Sequence, residues 1–260
     1  MNIRRTILTI TPFILLLTVS FSQELEVIGG AKITGLTEDN SIEKIVVVLD
    51  DGTLAYRYVN TINQPINALI DGDNNRYSSL QIGSQTWMKQ NLKTTSFNDG
   101  TPITEAIENQ SWRNLTIPGF SFYNNDPSQG VLYNHYVTID PNLNACPVGW
   151  HVPSDGEWTI LVNYLGGFDV AGGKLKEVGF DNWLSPNASA TNSTGFTGLP
   201  EGYRTFLGEF LNKGELGAWW SSTIADGTNA WFRMAHFDID NLDRSAENKE
   251  SGFSIRCIKD

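Results

Sequence analysis

Cys146 and Cys257 are the only cysteines in this 260-residue chain, and no other pair of residues limits its folding so much. Joined, they close a loop of about 110 residues, which in the chain-entropy account stabilises a fold by about 4 to 5 kcal/mol. Such a bond persists only in oxidising surroundings, so export is the first thing to look for. Arg4 and Arg5 precede an apolar run from Thr6 to Val19, and Ser20 and Ser22 supply the small residues of a cut before Gln23. Basic, then apolar, then small is the order of a cleavable secretory signal. Residues 1–22 are therefore expected to be removed, the mature protein to be secreted, extracellular or on the cell surface, and the cysteines to be bonded. Two free buried thiols or a redox pair are the alternatives, although the wide spacing lacks the C-x-x-C geometry of redox chemistry. No later stretch approaches the roughly 20 apolar residues of a membrane helix, so no membrane span is expected in the mature chain.

The chain carries 29 acidic and 18 basic residues, a net charge of −11, which becomes more negative once Arg4 and Arg5 are lost. No basic stripe reverses this locally, and a surface of this sign repels phosphate backbones. Nucleic acid is thereby excluded as a partner. Eight tryptophans and thirteen phenylalanines supply the apolar area for a substantial core.

Residues 23–65 read as a small β-rich segment, with alternating stretches at Ala31–Thr34 and Ile45–Leu49 and a turn at Asp50-Asp51-Gly52. Too short to bury much area alone, it is expected to serve as a stalk or to join copies into a homo-oligomer. A boundary falls near Asn63-Gln64-Pro65, and residues 66–260 form the main domain. There, Asp71-Gly72-Asp73-Asn74-Asn75 resembles the opening of a calcium loop, but Ile82 stands where the closing bidentate Glu is required, so a hairpin turn is expected. Asn98 to Asp126 reads as ordered loop, and Val131–Tyr136 as a strand. Ser154 and Glu157 have capping-box spacing, Trp158, Leu161, Val162 and Leu165 share one helical face, and Gly166-Gly167 ends the element. A second helix is expected over Val170–Val178, followed by strands at Phe196–Leu199, Trp219–Thr223, Ala230–Phe237 and Phe253–Ile258. The fold class is α+β, with short antiparallel strands, one or two helices and long loops.

The run Cys146-Pro147-Val148-Gly149-Trp150-His151-Val152-Pro153-Ser154-Asp155-Gly156-Glu157-Trp158 resembles the Fibrobacter succinogenes major paralogous domain, a family of exported bacterial modules. The likeness extends through Ile82–Met88, Asn91-Leu92-Lys93, Gly172–Lys176, Gly202-Tyr203-Arg204, Trp219–Thr223 and Gly252–Cys257. It covers about residues 66 to 260 and leaves out residues 24 to 62. The same landmarks look like a wider group with the C-type lectin-like fold, which includes formylglycine-generating-enzyme-type domains. The resemblance implies that both ends of the domain meet in one sheet, with a long loop region opposite. Fold-level likeness alone says little about chemistry.

An enzyme requires convergent reactive groups. The formylglycine oxidases use a cysteine pair, whereas here both cysteines are better explained as a structural bridge. His135, His151 and His236 are scattered, with no metal-ligand spacing between them, and no G-x-S-x-G turn is present. A non-enzymatic binding module is therefore expected, with a glycan or a protein as ligand. A structural subunit of an extracellular assembly is the alternative, and a secreted enzyme comes third. The ligand-binding residues are expected at Trp220, Asn229, Trp231, Arg233, His236, Asp238, Asp240, Asn241, Asp243 and Arg244, which mix aromatic and planar polar groups suited to sugar rings and to protein hot spots. Of Trp219 and Trp220, one should be buried and one partly exposed. Asp238, Asp240, Asn241 and Asp243 supply the hard oxygen ligands calcium prefers, but the EPN, QPD and WND triplets of calcium-dependent lectins are missing. No cofactor is assigned, with calcium as the weaker alternative.

Overall fold

In the computed structural model the chain divides into two units, residues 1–68 and 69–260. The structure describes residues 69–140 and 142–260 throughout. In the first unit it describes two antiparallel pairs, Leu8–Thr9 with Ile14–Leu15 and Lys44–Val48 with Leu54–Tyr58. The second pair flanks the turn read at Asp50-Asp51-Gly52. The remainder of the first unit, including most of the export signal, its cut before Gln23 and the stretch 31–34, lies outside the described residues.

The second unit opens with a hairpin, Leu69–Ile70 with Arg76–Tyr77. Asp71 Oδ1 accepts the Asp73 and Asn75 N–H groups at 3.0 and 2.9 Å, so this carboxylate closes the expected turn on backbone donors. Strands β1 (Ser79–Ile82) and β2 (Gln85–Met88) form the next hairpin. Strands β3 (Gly119–Phe122) and β4 (Val131–Tyr133) pair antiparallel. The expected strand to Tyr136 stops at Tyr133 because the Asn134 side chain turns back, accepting the Gly119 N–H and donating to the Ile117 carbonyl, and His135–Thr138 coils into a 3₁₀ turn. Strand β5 (Trp150–His151) leads into helix α1 (Asp155–Tyr164).

Helix α1 forms as read. Ser154 Oγ accepts the Glu157 N–H at 3.2 Å and the Glu157 carboxylate accepts the Ser154 N–H at 2.8 Å, so two orphan donors are satisfied reciprocally. Trp158, Leu161, Val162 and Leu165 are all buried, and each contributes on the order of 1.5 to 3 kcal/mol of burial. Helix α2 is Phe168–Leu175, not the expected 170–178. It ends early because Lys176 turns extended and bridges Gly198, with the Glu177 N–H bonded to the Gly198 carbonyl. That bridge is all the strand found in the expected stretch Phe196–Leu199.

Strands β6 (Leu216–Ile224), β7 (Asn229–His236) and β8 (Leu242–Asn248) form an antiparallel sheet with Trp219 opposite Arg233 and Arg233 opposite Arg244. Residues 252–259 then thread through the whole unit. Gly252 bridges Arg204, Phe253 bridges Tyr133, and Ser254 bridges Trp219. Strand β9 (Ile258–Lys259) fills the place between β5 and β2, so the expected strand Phe253–Ile258 is regular only at its end. The Cys146–Cys257 disulfide, with Cα atoms 6.0 Å apart, pins this segment from inside one core cluster. The architecture is α+β, with small, mostly antiparallel sheets, short helices and much ordered loop.

The motif residues are mostly buried polar anchors. Arg256 is fully buried, stacks 4.0 Å over Phe196 and donates to Asn91 Oδ1 and to the carbonyls of Met88, Lys89 and Phe196. Burial pushes its guanidinium down to about 9. Arg204 lies between Trp112 and Phe210, its guanidinium 4.6 Å from each ring, and donates to the carbonyls of Ala106, Ile107 and Gly208. In both cases the arginine satisfies loop carbonyls that would otherwise be buried without donors.

Candidate ligand-binding surface

Strand β6 of the β6–β8 sheet is covered on both faces along most of its length. Trp219 points into the cluster beneath α1 and α2, and Trp220 into the opposite cluster with Phe232 and Phe253. Both are fully buried, which corrects the expectation that one would be partly exposed and removes Trp220 from the ligand-binding set. The Trp220 indole N–H donates to the Tyr133 carbonyl at 2.8 Å, and its ring packs 4.5 Å from Phe253. The alternation that sends one neighbour in and one out presumes a solvated face, and this sheet has none at that strand.

The same two-sidedness splits the remaining candidates. Trp231, Arg233 and Arg244 share the face toward α1, whereas Met234 pairs with Asp243 on the other face, where His236 also lies. Arg233 is only 2% exposed, a second correction: it donates to Asp155 Oδ1 at 2.6 Å and to Thr159 Oγ1 at 3.1 Å and works as a buried anchor. Asp155, in the first turn of α1, also receives Arg244 at 3.0 Å. Burial pushes the Asp155 carboxyl up, but the Arg244 and Arg233 guanidiniums win and hold it below the usual carboxylate range.

Arg244 is 43% exposed and lays its guanidinium over the Trp231 ring, 3.3 Å from the centroid. All eight tryptophans lie in the described residues, and seven are buried; Trp231 alone is partly open. The guanidinium therefore covers one face of the indole and is itself tied to the Asp155 carboxylate at the start of α1. Asn229 sits at the turn end, its amide donating to Asp226 at 2.9 Å, where it closes the hairpin.

The acidic candidates form a separate group. Asp238 is exposed, Asp240 and Asn241 are partly buried, and His236 Nε2 is 3.9 Å from Asp243 Oδ2. The loop's carbonyls at His236 and Ile239 are already occupied by the Lys176 ammonium, at 2.8 Å each. Burial pushes Lys176 down to about 8 against the pull of Asp240 and Asp238. The oxygen-rich loop thus carries a built-in cation. Among the described residues no three His, Cys, Asp or Glu side chains converge to hold a metal. The backbone of this loop lies against Gly172, where an added Cβ would meet the Asn241 carbonyl oxygen at 2.0 Å.

The histidines stand apart. His135 is buried edge-on to Trp220, and burial pushes it down to about 4, so it is neutral. His151 bridges Glu157 at 2.9 Å and Asp260 at 2.6 Å and is raised to about 9, first by the Glu157 bond. Asp155, which anchors Arg233 and Arg244, and Lys176, which fills the acidic loop, are not among the site residues read from sequence. Asp155 was legible only as part of a helix start, and Lys176 only as part of a family motif.

Together these features define a disulfide-closed α+β domain with one partly open tryptophan. Residues 80–259 match the Fibrobacter succinogenes major domain, and the chain belongs to that family. No curated protein and no solved structure matches it.

Proposed function

We propose that this chain is an exported, non-enzymatic binding module on a C-type lectin-like scaffold, taking a glycan or a protein ligand on the Trp231–Arg244 surface. One observation carries the reading: in a domain that buries every other tryptophan, Trp231 keeps partial access and is held rigid by a stacked arginine. A pre-ordered aromatic loses little entropy on binding, and a planar guanidinium presents directed donors to sugar hydroxyls, carboxylates or peptide carbonyls. Both cysteines are bonded to each other, which fits an oxidising compartment outside the cytoplasm. It also leaves formylglycine-type oxidation without its thiol pair.

A glycan array and a pull-down from the native surroundings identify the ligand, and competition by free sugar separates glycan from protein. Trp231→Ala and Arg244→Ala should each abolish capture with little change in melting temperature; capture by both variants at the parent level would falsify the assignment. The second reading, a structural subunit of an extracellular assembly, draws on the hairpin Lys44–Val48/Leu54–Tyr58. Light scattering that gives a monomer for the mature chain removes it.

A further inference from the structure

A cleft of about 290 Å³ that shares no residue with the Trp231 surface is lined by Lys89, Lys93, Lys213 and Arg256 and by a single acid, Glu201. In a chain of 18 bases and 29 acids this is a pronounced reversal of sign. Among the described residues none of the three lysines forms an ion pair, and Lys213 rests 5.3 Å over the Tyr123 ring. The floor is fixed. Arg256 holds Asn91 Oδ1, the Asn91 amide donates to Glu201 Oε2 at 2.6 Å, and Ser254 Oγ donates to the same oxygen at 2.6 Å. Glu201 Oε1 has no protein donor among the described residues. Gly130 lies flat against this carboxylate, where an added Cβ would stand 2.5 Å from Oε1. Any side chain at 130 would crowd the acceptor.

These groups ask for two things of one ligand. Three ammonium groups with no ion pair among the described residues select a negative charge, whereas a carboxylate oxygen with no protein donor repels bare anions and selects a hydroxyl donor beside that charge. A cavity of this size, with Leu199 and Pro200 as apolar wall, suits one or two pyranose rings. We propose that the cleft is a second binding site, specific for a sugar acid of the uronate class.

Isothermal titration of the mature chain with D-galacturonate and its trimer tests this, with D-galactose as neutral control and inorganic phosphate as bare anion. The uronates should bind at least about tenfold more tightly than galactose or phosphate. The triple variant Lys89→Gln/Lys93→Gln/Lys213→Gln, built on exposed or partly exposed positions, should lose at least about tenfold in affinity at an unchanged melting temperature. Gly130→Ala should also weaken binding with every charge retained. Trp231→Ala should leave uronate binding unaltered, so failure at one surface is distinguishable from failure at the other. Equal binding of galactose or phosphate, an unaffected triple variant, stronger competition by polyglutamate than by the trimer, or no uronate binding at millimolar concentration overturns the proposal.

Discussion

Replacing Asp155 by alanine is the sharpest test of how the Trp231 surface is held. The carboxylate is 17% exposed and bonded to two guanidiniums, one of them, Arg233, only 2% exposed. Removing one partner of a buried pair costs about 3 to 5 kcal/mol because the other charge is left uncompensated. Two features lower that here: Asp155 retains some contact with water, and Arg233 keeps Thr159 Oγ1 and the residue-155 carbonyl as acceptors. The loss of a negative charge from the first turn of α1 adds about 0.5 kcal/mol. The expected destabilisation is about 2 to 3 kcal/mol, or a melting temperature lower by about 5 to 10 °C in a domain of this length. Arg244→Ala, which removes only the exposed partner, should cost less than about 1 kcal/mol. Urea unfolding followed by tryptophan fluorescence and calorimetry gives both numbers. The double variant Asp155→Ala/Arg233→Met should recover part of the loss, because it removes the stranded charge. Asp155→Ala melting with the parent, or no recovery in the double variant, would refute the account.

Three further outcomes are expected. Changing both cysteines to serine should lower stability by about 4 to 5 kcal/mol, read as a shift in the urea midpoint. His151 is raised to about 9, so its contribution is complete below its unfolded value near 6.5 and fades as pH rises toward 9. After discounting for exposure this is about 1 kcal/mol, and His151→Gln should flatten the stability profile across that window. Gly172→Ala should cost about 2 to 3 kcal/mol, since the new methyl group meets the Asn241 carbonyl and not a movable side chain; thermal unfolding measures it.

Local grammar was legible in the sequence, and long-range pairing was not. The capping box at Ser154 and Glu157, the apolar face of α1 and the Asp71 turn depend on residues a few positions apart, and each forms as read. Arg233 reads as a ligand-binding residue because its partner, Asp155, lies 78 positions away. Trp220 reads as half open because pattern reading cannot tell that its strand is covered on both faces. The ten candidates were contiguous enough to be read as one site, yet strand alternation divides them between two faces. Trp231 and Arg244 survive as a surface because they sit diagonally on neighbouring strands, a relation fixed by the β7–β8 register.

Residues 252–259 touch nearly every part of the domain, and Arg256 meets Asn91 across 165 positions of sequence. Contacts of that span must wait for most of the chain to be in place, so loop-closure entropy is spent before it is repaid. Folding of this domain is therefore expected to be slow and all-or-none, with neither the β1–β2 hairpin nor the α1–α2 pair persisting as an isolated fragment.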